Sequence, residues 1–244
     1  MLFRSDATLD VHEQAEGFTQ HATWDFAHTT PEQYPLLLHF PYFDLYRKQV
    51  VKQADLVLAM YLRGDAFTPD EKARNFSYYE RLTVRDSSLS ACAQAVMAAE
   101  VGHVDLAYDY FAEAALMDLD DLEHNTRDGV HIASLAGTWM AAVAGFGGLR
   151  DYGGALSFMP RLPGALSRLC FRLRFRGRRL LVDVRHDHAT YTVRAGRALT
   201  ITHHGEQLTV AHGESQTRPI PPPPALERPT QPRGRAPARR RPSF

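Results

Sequence analysis

The amino-acid sequence predicts a mainly α-helical protein with a small antiparallel β domain after the helices. Between about Arg47 and Gly148, apolar residues recur every three or four positions, which is the spacing of amphipathic helices. After Gly154, apolar and polar residues alternate, which is typical of strands with one buried face. The change of period places the boundary between about residues 150 and 165.

The overall composition fits a folded protein that stays in solution. The chain has 244 residues, of which 44% are apolar, enough for one large domain or two modest ones. No apolar stretch has the length that a membrane span needs, and the first residues lack the pattern of a signal peptide. Only Cys92 and Cys170 occur, so we expect no disulfide framework and no zinc site. These features predict a soluble, cytoplasmic protein.

The formal net charge of zero conceals an acidic front and a basic back. Residues 1–160 hold 11 basic and 23 acidic side chains, whereas residues 161–244 hold 17 basic and 5 acidic ones. The arginines of the basic part lie in strand-like sequence and in a proline-rich tail, without a helix-turn-helix or zinc-finger pattern. We therefore expect no nucleic-acid partner.

The helical half consists of segments of similar length. The first, RKQVVKQADLVLAMYLRG, stops at Gly64, and the second, TPDEKARNFSYYERL, has Thr68 as N-cap and Pro69 in its first turn. Three more segments follow: SSLSACAQAVMAAEVG, HVDLAYDYFAEAALMDL and GVHIASLAGTWMAAVAGFGG. Prolines interrupt residues 31–46, which we interpret as a long structured loop. The segments predict antiparallel helix pairs, stacked either as a bundle or as a toroid.

The pattern divides the chain into three parts. Residues 1–155 form the helical part and residues 156–213 the antiparallel β domain, with glycine turns after Arg176, Ala195 and His204. Residues 214–244 hold nine of the 15 prolines and seven arginines, with few apolar residues. This composition predicts a tail without regular structure.

Two serines stand where a helix is expected to begin. Ser87 and Ser88, in RDSSLS, would offer two hydroxyls beside free backbone N–H groups and the positive end of a helix dipole. This combination favours an anion. The alternative is a plain N-cap formed by Asp86 or Ser87.

A second polar segment, TRDGVHIA, precedes the last helical segment. Gly129 permits a left-handed or close-approach backbone, and His131 follows in the predicted first turn. A protonated imidazole is disfavoured at that end of a helix unless an anion lies opposite. The alternative is a histidine whose ring donates to a backbone carbonyl.

Other polar and aromatic residues have a plain structural alternative. Lys52 and Gln53 lie within the first predicted helix, where they could equally be surface side chains. Trp24 and Trp139 could stack on sugar rings or belong to the core. The histidines of RHDH (185–188) and HH (203–204) are interpreted as surface residues, and GFGG lacks the strand and lysine of a phosphate loop.

Several motifs in order resemble the C-terminal part of glycoside hydrolase family 65, a family of maltose, trehalose and kojibiose phosphorylases and acid trehalases. The motifs are HEQAEGF, KQADLVL, YYERLTVRDSSLS, AALMDLDD, TRDGVHIASLAGTW and GFGGLR followed by LSFMPRLP. They span roughly residues 9–213. The resemblance implies the second half of an (α/α)6 barrel followed by a small C-terminal β-sheet or sandwich domain.

The resemblance also implies a reaction and the residues that take part in it. In the phosphorylases, inorganic phosphate attacks the anomeric carbon of an α-linked glucose disaccharide with inversion, and no cofactor is involved. The positions that match the phosphate pocket are Ser87, Ser88 and His131 with the backbone around Gly129. Those that match the glucose-contacting pair are Lys52 and Gln53. The complete enzyme is expected to be a homodimer.

The general acid of the family does not appear in this sequence. It is a glutamate in a Gly-Pro-Asp-Glu stretch, upstream of every motif recognised here, so we assign no catalytic residue. Glu13, Glu16 and Glu80 are carboxylates outside that motif, and Glu80 would serve as a base only in a hydrolytic variant. The chain is therefore expected to be a fragment whose activity needs an N-terminal portion. The alternatives are a non-catalytic module that binds carbohydrate or phosphate, and a helical scaffold with a basic tail.

Overall fold

The computed structural model describes residues 4–237, in which helices and two short two-stranded sheets are followed by two four-stranded sheets. The α-helices are α1 (Leu36–His39), α2 (Tyr42–Leu45), α3 (Asp55–Leu62), α4 (Pro69–Glu80), α5 (Ser90–Val101), α6 (Val104–Ala115) and α7 (Ile132–Met140). The strands are β1 (Ser5–Asp6), β2 (Val11–His12), β3 (Ala22–Thr23), β4 (Lys48–Gln49), β5 (Leu149–Arg150), β6 (Ser157–Phe158), β7 (Leu169–Phe175), β8 (Arg178–Val184), β9 (His188–Ala195), β10 (Leu199–His203), β11 (Glu206–Val210) and β12 (Ser215–Pro219). The prediction of a helical part followed by a small β part is confirmed.

The start of α4 shows how local sequence sets a helix boundary. Thr68 Oγ1 accepts a hydrogen bond from the backbone N–H of Glu71 at 3.2 Å, and a carboxylate oxygen of Glu71 accepts from the N–H of Thr68 at 2.7 Å. Pro69 occupies the first helical position, where its missing N–H is not needed. The predicted N-cap is thus confirmed.

Helices α5, α6 and α7 pack side by side, and two of them run in the same sense. Gly102, with a φ of +106°, ends α5 in a left-handed conformation and turns the chain into α6. A Cβ on Gly137 of α7 would lie 2.5 Å from Cβ of Cys92, so the two helices touch there without a side chain between them. Further along, a Cβ on Gly145 would lie 3.4 Å from Cα of Val96. Of the two glycines, the later one, Gly145, meets the later residue of α5, Val96. The helices therefore run in the same direction, and α5 and α7 begin at the same end of the helical layer.

The two four-stranded sheets share one apolar core. Their strand orders are β12-β9-β8-β7 and β11-β10-β6-β5. Both sheets contribute to one cluster of buried side chains, which includes Phe158, Val182, Tyr191, Ile201 and Val210. The inward positions of β8 alternate with outward ones, as the predicted period of two requires.

Two predictions about the β part are wrong. The part is not wholly antiparallel, because β6 pairs with β10 in parallel. Strands β7 to β9 intervene between β6 and β10 in the chain, so no hairpin forces these two strands to run in opposite directions. The tail is not wholly without regular structure either, because Ser215–Pro219 forms β12 antiparallel to β9. This strand is polar and is held by backbone hydrogen bonds to the open edge of β9. Its sequence therefore lacks the alternation of apolar and polar residues that predicts a strand. Residues 238–244 of the predicted tail lie outside the described residues.

The predicted first helix starts later than expected. Lys48–Gln49 is a strand, and α3 begins only at Asp55. The reason is a nonlocal backbone pairing: the N–H of Val51 donates to Leu82 O at 3.0 Å, and the N–H of Val84 donates to Val51 O at 2.9 Å. Such pairing holds the chain extended. The prediction that residues 31–46 contain no continuous helix is confirmed, because Pro35 and Pro41 each precede a separate four-residue helix.

One predicted surface residue is buried. His203 is 3% exposed, its Nδ1 lies 2.7 Å from the hydroxyl of Tyr191, and its Nε2 lies 3.0 Å from Pro219 O. Strand β12 supplies that carbonyl, so the strand that the sequence did not reveal also covers the histidine. Within residues 4–237, none of the helices combines the length and hydrophobicity that crossing a bilayer requires.

Candidate functional site

The serine loop, residues 86–89, connects an extended segment to the start of α5. The N–H of Ser90 donates to Ser87 O at 3.1 Å, which closes a turn before the helix. The hydroxyl of Ser87 donates to Oε1 of Gln53 at 2.8 Å. The hydroxyl of Ser90 donates to Lys52 O at 3.3 Å. The structure therefore brings the Lys52–Gln53 pair and the first predicted phosphate ligand into one hydrogen-bonded unit.

The position of Lys52 and Gln53 differs from the one predicted. Both residues lie in a bend before α3 rather than within a helix. Lys52 is exposed, and Nε2 of Gln53 donates to Oδ1 of Asp55 at 3.0 Å. Ser88 is half-buried beside them. Because the bend contacts the serine loop, the polar groups of Lys52 and Gln53 lie near the start of α5 rather than along the side of α3.

His131 is fixed by an aspartate that the sequence did not single out. It is the N-cap residue of α7, its backbone N–H donates to Oδ2 of Asp118 at 2.9 Å, and its Nδ1 lies 2.6 Å from Oδ1 of the same carboxylate. The hydrogen bond from His131 lowers the pKa of the Asp118 carboxyl. A charged carboxylate accepts from Nδ1–H, which leaves Nε2 as the ring nitrogen able to contact a ligand.

Gly129 sets the backbone conformation just before His131 and helix α7. Its φ is +128°, in the region that side-chain-bearing residues rarely adopt, and a Cβ placed on it would meet no atom within 4 Å. The glycine is thus required by backbone conformation rather than by a close neighbour. It is exposed at the mouth of α7.

The serine loop and His131 lie at the same end of the helical layer, because α5 and α7 begin at that end. The described hydrogen bonds join Ser87 to Gln53 and His131 to Asp118, and they join neither serine to His131. Convergence of these side chains on one anion stays a prediction. The common end explains why segments more than forty residues apart can serve one site.

A buried polar cluster lies between α4, α5 and α6. The hydroxyl of Tyr110 donates to the carboxylate of Glu80, and Nε2 of Gln94 donates to the other oxygen of that carboxylate at 2.9 Å. Nε of Arg85 donates to Oε1 of Glu113 at 3.3 Å. Burial raises the pKa of Glu80, although the hydrogen bonds to its carboxylate act in the opposite direction. Tyr110 and Glu113 interrupt the apolar face of α6, and Gln94 interrupts that of α5, which are signs of the cluster in the sequence.

The carboxylates considered as possible bases are all engaged. Glu80 is 1% exposed. Glu13 accepts from the hydroxyl of Thr19 at 2.8 Å, and Glu16 pairs with Arg4 on the surface. None of these contacts places a carboxylate beside the serine loop.

The two tryptophans have different surroundings. Nε1 of Trp24 donates to the hydroxyl of Thr29 at 2.8 Å, and its ring packs edge-on against Phe40. Trp139 is 57% exposed on α7, so it is not a core residue of the described chain.

Comparison with known proteins gives two family matches and several relatives. Residues 1–140 match the glycosyl hydrolase family 65 central catalytic domain, and residues 149–210 match the C-terminal domain of the same family. An uncharacterized glycosyl hydrolase of Mycobacterium leprae is 60% identical over 97% of this chain and 30% of its own length. The α,α-trehalose phosphorylase of Thermoanaerobacter brockii is 40% identical over 84% of this chain and 27% of its own length.

A solved structure supports the same relationship. It is described as a candidate kojibiose phosphorylase from the human microbiome, and it superposes with a TM-score of 0.81 at 29% identity, over 89% of this chain and 29% of that protein. The chain spans about 30% of the length of the curated relatives that it matches.

Proposed function

The chain belongs to glycosyl hydrolase family 65, and we propose that it is the C-terminal part of an inverting α-glucoside phosphorylase and carries the phosphate side of the site. The observation that supports this most directly is the hydrogen bond between Ser87 and Gln53. It links the segment matched to the phosphate pocket with the segment matched to the glucose contacts. Relatives named as trehalose, maltose and kojibiose phosphorylases make a glucose disaccharide the proposed substrate.

The helices fit the second half of an (α/α)6 barrel. Helices α5 and α6 form an antiparallel pair, and α7 packs against both. One side of α7 exposes Ile132, Leu135 and Trp139, which are spaced along a single helix face. In the proposed complete enzyme, helices of the missing N-terminal portion cover this face. A homodimer and a cytoplasmic location stay predictions for that enzyme.

Phosphate binding is the step to which this chain would contribute. The hydroxyls of Ser87 and Ser88 and the N–H groups at the start of α5 would donate to phosphate oxygens. His131, oriented by Asp118, would donate from Nε2 when it is protonated. These donors come from loops fixed by α5 and α7, so they would hold the anion without rearrangement.

In the proposed reaction, two portions of the enzyme act on different atoms. A phosphate oxygen forms a bond to the anomeric carbon as the glycosidic carbon–oxygen bond breaks. The departing oxygen takes a proton from a carboxylic acid of the N-terminal portion, and glucose 1-phosphate and free glucose result. In this division, the present chain positions the nucleophile while the other portion protonates the leaving group.

The proposal can be tested with the N-terminal portion restored, by measuring glucose 1-phosphate released from trehalose, maltose and kojibiose. We expect release to require inorganic phosphate, and Ser88→Ala and His131→Ala to raise the KM for phosphate about tenfold or more while the KM for the disaccharide changes little. Ser215→Ala, in the distant strand β12, is the matched control. Glucose release that does not depend on phosphate would indicate a hydrolase instead.

A non-catalytic binding module is the second candidate. It is favoured by the engagement of Glu13, Glu16 and Glu80 in other contacts, which leaves none of these three as a proton carrier at the serine loop. This candidate predicts phosphate or glucose binding without turnover, even after the N-terminal portion is restored.

A further inference from the structure

The segment after β12 returns across the helical part of the protein. We call residues 220–237 the C-terminal arm. Pro224 packs on Gly102, where a Cβ on the glycine would lie 2.9 Å from the proline ring. Arg228 lies 3.4 Å from a carboxylate oxygen of Asp109, and Nε2 of Gln231 donates to Oε1 of Glu80 at 3.0 Å. The arm thus runs from the end of α5 into the buried polar cluster.

The arm ends its described course at the serine loop. Nε of Arg235 donates to Val84 O at 2.6 Å, and Nη2 of Arg235 donates to Oδ1 of Asp86 at 2.9 Å. The guanidinium carbon also lies 4.5 Å from the centre of the Tyr34 ring. The side chains of Arg235 and Asp86 are 12% and 2% exposed, so this ion pair is largely shielded from water. Shielding strengthens such a charge-assisted contact.

Asp86 connects the arm to the predicted anion site. It immediately precedes Ser87, and its other carboxylate oxygen accepts from the N–H of Leu36 at 2.7 Å. A buried negative charge next to two proposed phosphate ligands would repel a phosphate dianion. Arg235 supplies the opposite charge at that carboxylate and, through Val84 O, also holds the backbone that leads into the loop.

We propose that Arg235 is a positioning residue for phosphate binding, which fixes the serine loop and neutralises Asp86. This inference rests on the proposed function of the loop. It assigns a specific role to the arginine-containing arm, whose composition alone suggested a tail without structure. The arm would act on phosphate through Asp86 and Val84, without touching the anion itself.

The experiment measures inorganic phosphate binding to the 244-residue chain by calorimetry, together with hydrogen–deuterium exchange of residues 84–90. Arg235→Ala is expected to weaken phosphate binding about tenfold and to accelerate exchange in residues 84–90. The matched control is Arg233→Ala, since Arg233 belongs to the same arm and, among the residues that the structure describes, donates to Ala27 O at 3.4 Å rather than to the serine loop. The control should leave both measurements unchanged.

A second variant separates neutralisation from a general loss of structure. In the double variant Asp86→Asn with Arg235→Ala, the asparagine can still accept from Leu36, but the negative charge beside the serine loop is gone. We expect this variant to recover phosphate affinity to within about threefold of wild type, because the repulsion has been removed. Asp86→Asn alone tests the same point if Arg235→Ala fails to fold, and it should not weaken phosphate binding.

The outcomes distinguish this inference from the proposed function. If wild type binds phosphate and Arg235→Ala binds it equally well, the inference is wrong. Weaker binding by Asp86→Asn alone would also overturn it. If wild type does not bind phosphate, the proposed function fails, and the exchange of residues 84–90 in Arg235→Ala then decides whether the arm fixes the loop.

Discussion

The helical part and the β part bury different kinds of side chains. Between the helices lie Lys72, Glu80, Arg85 and Glu113, each less than 10% exposed. The core of the two sheets is instead built mainly from aliphatic and aromatic residues. The buried charged or titratable residues described in its strands, apart from tyrosine, are His203 and Arg150, and Arg150 pairs with Glu100 of α5. Burying a charge lowers the stability of a protein unless the charge has a partner. The polar side chains between the helices therefore reduce the stability of the helical part unless they are paired. Arg85, one of these side chains, directly precedes Asp86, the first residue of the serine loop.

The two parts also differ in how completely they cover their apolar side chains. Ile132 and Trp139 of α7 are 67% and 57% exposed, whereas Val182 of β8 and Tyr191 of β9 are fully buried in the shared core. The helical layer thus has an open apolar face on α7, which the proposed N-terminal portion would cover.

The largest expected effect concerns activity. If the general acid belongs to the N-terminal portion, as proposed, the sugar leaving from the isolated chain departs unprotonated, and loss of such assistance costs about 10²- to 10⁴-fold in rate. We expect residues 1–244 alone to release no measurable glucose 1-phosphate or glucose from trehalose, maltose or kojibiose, and activity to appear once the N-terminal portion is restored. Turnover by the isolated chain that Glu80→Gln abolishes would overturn the division of roles and make Glu80 catalytic.

The next effect sharpens the contrast in buried charge. Glu113→Ala removes the carboxylate that accepts from Nε of the fully buried Arg85 and is expected to lower the free energy of unfolding by about 3–5 kcal/mol. The matched change in the β part is Glu206→Ala, which breaks a solvent-exposed pair with Arg218 and should cost less than about 1 kcal/mol. Urea denaturation measures both. Similar losses would mean that the buried pair is not specially dependent on its partner.

The sequence predicted those features of the fold that depend on neighbouring residues. Thr68 and Pro69 predict the start of α4 because the cap and the helix interact within one turn. The extended conformation of Val51 could not be read in this way, since its partners Leu82 and Val84 lie thirty residues away. Strand β12 was missed for the same reason: the edge of β9 holds it, not its own apolar pattern.

The candidate site follows the same rule. Ser87 and His131 stood out because each occurs at a helix start, a local feature. Asp118, which orients His131, and Arg235, which pairs with Asp86, were not identified because only the folded chain brings them there. A single sequence thus indicates the groups that would touch a ligand more readily than the groups that hold them.

A smaller effect tests the open face. In the isolated chain, we expect Leu135→Glu and Trp139→Glu to reduce self-association, because a charge on the α7 face disfavours apolar contact between copies. Light scattering across protein concentrations measures this. Leu119→Glu is the control, since Leu119 is 82% exposed but lies outside α7. An equal effect of all three substitutions would show that α7 has no special role in association.

The smallest effect is a pH dependence within the β part. Burial, together with the neighbouring His203 and Arg161, lowers the pKa of His204 from 6.5 to about 4 in the folded protein. Below pH 6.5 the unfolded chain therefore binds a proton that the folded chain does not, so stability is full above that pH and declines as the pH falls toward 4.

The variant His204→Asn should remove part of this decline, and asparagine suits the positive φ of 45° at this position. Because His204 remains partly exposed, we expect a difference of only about 1 kcal/mol between wild type and variant when each is compared at pH 5 and pH 7. Urea midpoints at the two values measure it, with the exposed His212→Asn as control. A decline of equal size in wild type and His204→Asn would assign the pH dependence to other groups, of which His203, whose pKa burial also lowers, is the first to test.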